Sequence, residues 1–447
     1  MKGSFALYFE CADTFPEIVC ERLLSEDRGY FAFGRDVLCF GCSRGLTSSS
    51  PRSVAYDARS DVVVDASRLR LPFDLDEVVS NFRLETYANS SVPAARRVIQ
   101  KTTRRAYYTV RAVIPDGLRR KFQRLYLNDW QDLSFPHWPV DTTVDDLMWE
   151  ILKLPLASGV STEVPFIWFW PRGATGCVIV THDVETQTGV ASVPNIMDTD
   201  DSFGIPASFQ IVPEERYSVT PEFLSQIQSR GFEVNVQDLN HDGKLFEDER
   251  TFRSRARRIN VHRQAFGARG FRSAILYRNQ KWLELLDFDY DMSVPNVAHL
   301  DPQRGGCCSV MPYFVADMVE LPVTMTQDYS LFYFLGRCDM GLWQQQWNLV
   351  LRRNGLISFI IHPDYLQEDK QWRLYKDLLQ MIIELKKERN LWMAYPHEVS
   401  TWWRQRSQMK LSKEGGKWRV CGEGSDRAAV AIARLEGNEV SVTVAAA

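Results

Sequence analysis

The sequence predicts an α/β protein whose centre is a barrel of alternating strands and helices, and three observations lead there. Between about residues 156 and 405, short apolar runs alternate with helical segments, the pattern of parallel strands joined by right-handed crossovers. At 447 residues the chain is longer than one compact core usually holds, so two or three domains are expected. A 45% hydrophobic and 25% charged composition excludes disordered and collagen-like chains.

Three regions follow from the texture: an α/β accessory region over 1–155, a barrel over 156–407 and a small β appendage over 408–447. In the first, "SFALYFE", "YFAFGRDVLCFGC" and "SDVVVDAS" read as strands, "TVDDLMWEILKL" as a helix, and "SRGLTSSSPRS" as an exposed loop. The barrel opens with the strand "CVIVTHDV" and continues with the strand "IPASFQIV". "TPEFLSQIQSRG" is a helix with a threonine cap and a glycine stop, and "FEVNVQDL" is the next strand. The basic helix "EDERTFRSRARRINVHRQAFG", the strand "ARGFRSAI" and the helix "NQKWLELLDF" come next. The helix "WQQQWNLVLRRNG" then leads into the strand "GLISFIIHP", and two or three strands end the chain.

Net charge is -4, which gives no general pull toward nucleic acid or an anionic membrane. Basic residues concentrate instead in 96–111 and 252–263. Apolar runs such as "VPFIWFW" fall far short of the roughly 20 residues a bilayer-spanning helix needs. The opening residues lack a secretory leader pattern, so a cytoplasmic location is expected. Nine cysteines, an odd number, fit reduced thiols. Cys39 and Cys42 form a CxxC without a second pair at zinc-ribbon spacing, so they read, like Cys307 and Cys308, as buried or incidental thiols.

The chemistry lies at the strand tips. Side chains alternate along a strand, so Asp183 and Glu185 face one side while His182 and Val184 face the other. Two carboxylates in one pocket raise each other's pKa unless something positive lies between them. Gln237 and His241, four residues apart in "VQDLNHDGKLF", can converge on one point, and a carboxylate with an imidazole begins many divalent-metal sites. His362 ends the strand of "LISFIIHPDY", the end that faces the active site in barrels of parallel strands.

The ordered set "THDVET", "NHDGKLF", "GFRSAILYRN", "LPVTMTQDYSLF" and "IIHPDYL" resembles the NodB-homology polysaccharide deacetylases, carbohydrate esterase family 4, over about residues 175–400. It is similar to the branch whose first motif is Asp-x-Glu. The resemblance implies a deformed (β/α) barrel and metal-dependent N-deacetylation of an acetamido sugar. It also implies roles: Asp183 as catalytic base, Arg272 orienting it, His362 as general acid, and Glu185 and His241 as metal ligands. Gln237 stands where the family has its first metal histidine. A neutral amide oxygen is a harder and weaker ligand than imidazole. Zn²⁺ is the expected ion, with Co²⁺, Ni²⁺ or another ion as alternatives; the glutamine lowers the expected affinity and shifts preference toward harder metals, and a metal-free glycan-binding or scaffolding protein is the competing expectation. The implied partner is an N-acetylated glycan or a lipid-linked or nucleotide-linked precursor, with no nucleic acid and with oligomerisation left open.

Other residues read more simply. His182 is expected to be a satisfied buried histidine and His262 a solvated surface one. The arginine run of 252–263 reads as a charged outer face, with an anionic glycan or lipid-linked phosphate as the functional alternative. Asp287, Asp289 and Asp291 read as edge acids, one of which could pair with Arg272. Trp168 and Trp170 read as core residues before sugar-stacking ones.

Overall fold

The structure is a computed structural model and describes residues 2–21, 23–90, 127 and 129–446. The basic stretch 96–111 lies outside the described residues. The main sheet has nine strands: β1 (Gly176–Val184), β2 (Ala207–Ile211), β3 (Glu233–Gln237), β4 (Gly270–Arg272), β5 (Tyr290–Asp291), β6 (Tyr313–Val315), β7 (Met318–Glu320), β8 (Leu356–Ile361) and β9 (Leu391–Met393). Their order is β6-β7-β5-β4-β3-β2-β1-β8, with β9 pairing along Gly176–Val178 of β1. All pairs are parallel except β6 with β7.

Every residue of β1 and of β8 is buried, as strands covered on both faces should be. The gap between β7 and β8 is bridged by the segment that follows β7. There Val323 N donates to Val294 O (2.9 Å) and Met325 N to Ser358 O (3.3 Å), while Ser358 N donates to Thr324 Oγ1 (3.0 Å). The sheet thus curls into a deformed (β/α) barrel, the fold the sequence predicts.

Helices α1 (Gln187–Phe203), α2 (Pro221–Gln228), α3 (Glu249–Phe266), α4 (Gly341–Leu351), α5 (Asp369–Arg389) and α6 (Pro396–Gln408) complete the barrel. Their ends follow local chemistry. Thr220 caps α2 by accepting from Phe223 N, Asp248 caps α3 by accepting from Thr251 N, and α3 stops at Gly267, whose φ of 64° suits glycine. "NQKWLELLDF" forms only a 3-10 helix, Gln280–Leu285, rather than the expected α-helix. Asn279 supplies no side-chain cap, and six residues suffice to bury Leu283.

In the N-terminal part, the expected strand segment forms two strands, Gly29–Phe33 and Val37–Gly41, paired antiparallel, and Thr143–Ala157 is the expected helix. "SFALYFE" is a helix, Ser4–Phe9, and not a strand. Its buried residues Phe5, Tyr8 and Phe9 have the i, i+3, i+4 spacing of a helical stripe, which the run of apolar residues masks. "SDVVVDAS" is a 3-10 turn over Ala58–Asp61 followed by a two-residue strand, Val63–Val64. Among the described residues the C-terminal part has four strands where two or three are expected, and Ala429–Glu436 pairs antiparallel with Val164–Ile167 just ahead of the barrel.

Buried Arg406 of α6 ties these parts together. Its guanidinium donates to the carbonyls of Leu7 (3.3 Å), Tyr8 (2.9 Å), Phe9 (3.1 Å), Ile167 (2.7 Å) and Trp168 (3.0 Å), so one cation serves five backbone acceptors. No helix among the described residues is long and apolar enough to cross a membrane.

Asp145, in Thr143–Ala157, is a second buried charge-bearing group. It accepts from Tyr8 Oη (3.0 Å), Ser309 Oγ (3.0 Å) and Val310 N (2.8 Å). Burial pushes its pKa up to about 7, beyond what these hydrogen bonds pull back. The folded state therefore keeps a proton that the unfolded chain releases near pH 4. Stability should fall as pH rises from about 4 to about 7, by up to about 1.4 kcal/mol per unit from this group. Denaturant titrations across that window are expected to show a shallower pH slope for Asp145→Asn than for the wild type; equal slopes would contradict the assignment.

Candidate active site

Strand ends build the site. Asp183 is the penultimate residue of β1 and Glu185 follows it, Gln237 ends β3, Arg272 ends β4, and His362 follows β8. All lie at the carboxyl ends of parallel strands, and the inward curl of the sheet brings them round one pocket. Asp183 Oδ1 accepts from Arg272 Nη1 (3.0 Å) and Asp183 Oδ2 from Gln237 Nε2 (3.1 Å). Glu185 Oε1 lies 2.8 Å from His241 Nε2, 3.5 Å from His362 Nε2 and 3.4 Å from Gln237 Nε2. The six residues singled out by the sequence therefore meet in one cluster.

The electrostatics separate the two carboxylates. Burial raises the pKa of Asp183, with Arg272 the largest opposing influence. Burial also pushes Glu185 upward, but His241 and His362 more than offset it and hold Glu185 well below the usual carboxylate range. His362 is depressed by burial and raised by more through Asp328 and Glu185, so its pKa lies well above that of a free histidine. The two acids are thus shifted in opposite directions, Glu185 down and Asp183 up, and the imidazole beside them is shifted up.

Asp328 was not singled out by residue in the sequence. Its Oδ1 lies 2.6 Å from His362 Nδ1 and its Oδ2 accepts from His362 N (2.8 Å), which fixes the ring and leaves Nε2 facing Glu185. The only signal was its place inside "TMTQDYSLF", 34 residues before its partner. Tyr365 is a second such residue. Its ring packs 4.8 Å from that of His362, and its hydroxyl donates to Glu185 Oε2 at 3.4 Å.

His241 sits in a turn with a φ of 53°, a conformation a non-glycine residue holds only when its surroundings impose it. Here Arg255 of α3 imposes it, donating to Asp242 Oδ1 and Oδ2 (2.7 Å each) and to Asn240 Oδ1 (3.2 Å). This arginine faces the loop, while Arg253 and Arg258 of the same run lie on the expected charged outer face, paired with Glu249 and Glu214.

Three atoms bear on whether the pocket suits a cation. The contact of His241 Nε2 with Glu185 is out of line for hydrogen bonding, so neither ring nitrogen of this buried histidine makes a hydrogen bond. Gln237 Oε1 is also buried and unpaired. Of these, His241 Nε2 and the amide oxygen, left unpartnered beside an ionised carboxylate, are costly alone and fit a divalent ion, while Nδ1 of the same ring points away from it. A second set shares Glu185: its ligand atoms and those of Asp183 and His362 all lie within 4.8 Å of one another. In that set Arg272 and Asp328 already engage Asp183 and His362, which favours the Glu185, His241 and Gln237 set.

The plainer expectations resolve as follows. His182 is buried on the far face of β1, where its Nε2 lies 2.9 Å from Asp200 Oδ2. His262 makes a half-buried contact with Glu214 (2.9 Å). Trp168 and Trp170 are core residues whose indoles donate to Ala174 O (2.6 Å) and Asn354 O (2.5 Å). Asp287 and Asp289 are surface partners of Arg263 and Arg269. Asp291, expected at an edge, is fully buried with Ser293 (2.6 Å) and does not pair with Arg272, whose Nε and Nη2 have no hydrogen-bond partner among the described residues.

No known family matches this chain by sequence, and no curated protein does. Among solved structures, chains described as polysaccharide deacetylases recur. One from Mycobacterium smegmatis is 20% identical over 53% of this chain and 93% of its own, with a TM-score of 0.44. One from Pseudomonas aeruginosa PAO1 is 11% identical over 52% of this chain and 91% of its own, with a TM-score of 0.41. The Puue allantoinase is 12% identical over 53% of this chain and 92% of its own, with a TM-score of 0.42.

Proposed function

We propose that this protein removes the acetyl group from an acetamido sugar of a glycan or glycan precursor, with a divalent ion held by Glu185, His241 and Gln237. The observation that carries the reading is the pairing of Asp183 with Arg272 and of His362 with Asp328 on either side of Glu185. A base candidate and an acid candidate then flank one ionised carboxylate.

A bound Zn²⁺, Co²⁺ or Ni²⁺ supplies Lewis-acid polarisation of the amide carbonyl and a more acidic water. Asp183, ionised and aimed by Arg272, accepts the proton of the water that attacks the acetyl carbon. Its burial-raised pKa makes it a better base than a solvated aspartate. As the C–N bond breaks, protonated His362 delivers a proton from Nε2 to the departing nitrogen, since an amide anion is too poor a leaving group to depart unaided. Asp328, on Nδ1, stabilises the protonated ring before transfer.

A second reading has its own support. Gln237 directs N–H donors at both Asp183 and Glu185, which steadies the carboxylates without any ion and suits a glycan-binding protein that does not turn over its ligand. Acetate release from N-acetylglucosamine oligomers, with each of the three ions supplied, tests the enzymatic reading. Asp183→Asn should reduce turnover by a factor of about 100 or more while ion uptake persists; full activity in this variant would remove Asp183 from the role of base. For Gln237→His the expectation is an ion affinity higher by about tenfold or more, read by calorimetry, because imidazole replaces a neutral amide. No gain in affinity would mean that residue 237 is not a ligand.

A further inference from the structure

Glu185 carries the site, and something must hold it there. It lies just past the last residue of β1 and ahead of α1, where the strand ladder no longer fixes the backbone. Both of its backbone polar groups are nevertheless taken by side chains. Asp364 Oδ2 accepts from Glu185 N (3.0 Å), and Arg216 Nε donates to Glu185 O (2.9 Å). Asp364 Oδ1 also accepts from Thr186 Oγ1 (2.5 Å), and that oxygen in turn caps the first turn of α1 through Thr188 N (3.2 Å) and Gly189 N (3.5 Å).

Asp364 comes from the neighbouring strand tip, two residues after His362. β8 and β1 are adjacent, with Ile361 opposite His182, so one short segment carries the acid candidate and reaches across to Glu185. The fit is close. A Cβ on Gly189 would lie 2.2 Å from Asp364 Oδ2 and 2.6 Å from its Cγ, so only glycine leaves room for this carboxylate.

From this geometry we propose that Asp364 is a positioning residue for the ion site: it fixes the Glu185 backbone so that the Glu185 carboxylate points at His241. The proposal rests on reading Glu185 as an ion ligand. It predicts that the half-buried acid at 364 matters as a hydrogen-bond acceptor and not as a charge.

The test uses the full chain, with Co²⁺ as the titrant and hydrogen–deuterium exchange at the Glu185 amide as an independent readout without ion. Asp364→Ala, and Gly189→Ala, which displaces the carboxylate without removing it, should both speed exchange at Glu185 and weaken Co²⁺ binding by about tenfold or more. Asp364→Asn, still able to accept from Glu185 N, should stay within about threefold of the wild type. Thermal melts separate a simple loss of stability from these effects, and if Asp364→Ala does not fold, the other two variants decide the matter. Folded alanine variants with wild-type affinity, or with unchanged exchange at Glu185, would overturn the proposal. A wild type that takes up no Co²⁺ would instead remove the ion reading, while the exchange result would still decide whether Asp364 holds Glu185.

Discussion

Two carboxylates facing one buried pocket set the terms for the rest of this protein. Charges within 4.8 Å repel by roughly 3–4 kcal/mol at an effective dielectric of about 20, more than one neutral hydrogen bond returns. Asp183 and Glu185 are tenable together only because the barrel delivers cations and donors to them from other strand ends. Arg272 reaches Asp183 from β4, and His241 and His362 bracket Glu185 from the turn after β3 and the tip of β8. Each partner is distant in sequence, so the curl of the sheet is itself a requirement of the charge balance.

Gln237 stands at the centre of that balance and gives it a double character. Turned as it is, its amide donates to both acids and leaves Oε1 without a partner. Turned over, it would present an oxygen to a cation and leave the two acids to be neutralised by that cation. Hydrogen bonding to the carboxylates and ligation of an ion therefore compete for one side chain. A histidine at 237 would present a ring nitrogen in place of the amide. On the proposed reading, glutamine rather than histidine at 237 would lower the affinity for an ion and steady the ion-free site.

The sequence carried a good part of this. Alternation along β1 placed Asp183 and Glu185 on one face and His182 on the other, and the structure has them so. Strand-tip position brought out His362, and motif order brought out Gln237, His241 and Arg272. What stayed hidden depended on contacts with no local signature. Asp328 matters because it meets His362 across 34 residues, and Arg255 because one member of an arginine run turns inward to brace the His241 turn. Asp291 looked like an edge acid because three aspartates alternate there, yet the sheet continues past it to β7 and buries it. Ser4–Phe9 reads as a strand because six mostly apolar residues fit either period, and only the packing of Phe5, Tyr8 and Phe9 selects the helix.

The central claim is that a divalent ion belongs between Glu185, His241 and Gln237. Anomalous diffraction from crystals of the protein soaked in Zn²⁺ tests it most directly. The account predicts a single strong peak within bonding distance of Glu185 Oε1 and His241 Nε2, with the Gln237 amide turned to face it. A peak seated instead on Asp183 and His362, or no peak in this pocket at all, would contradict it.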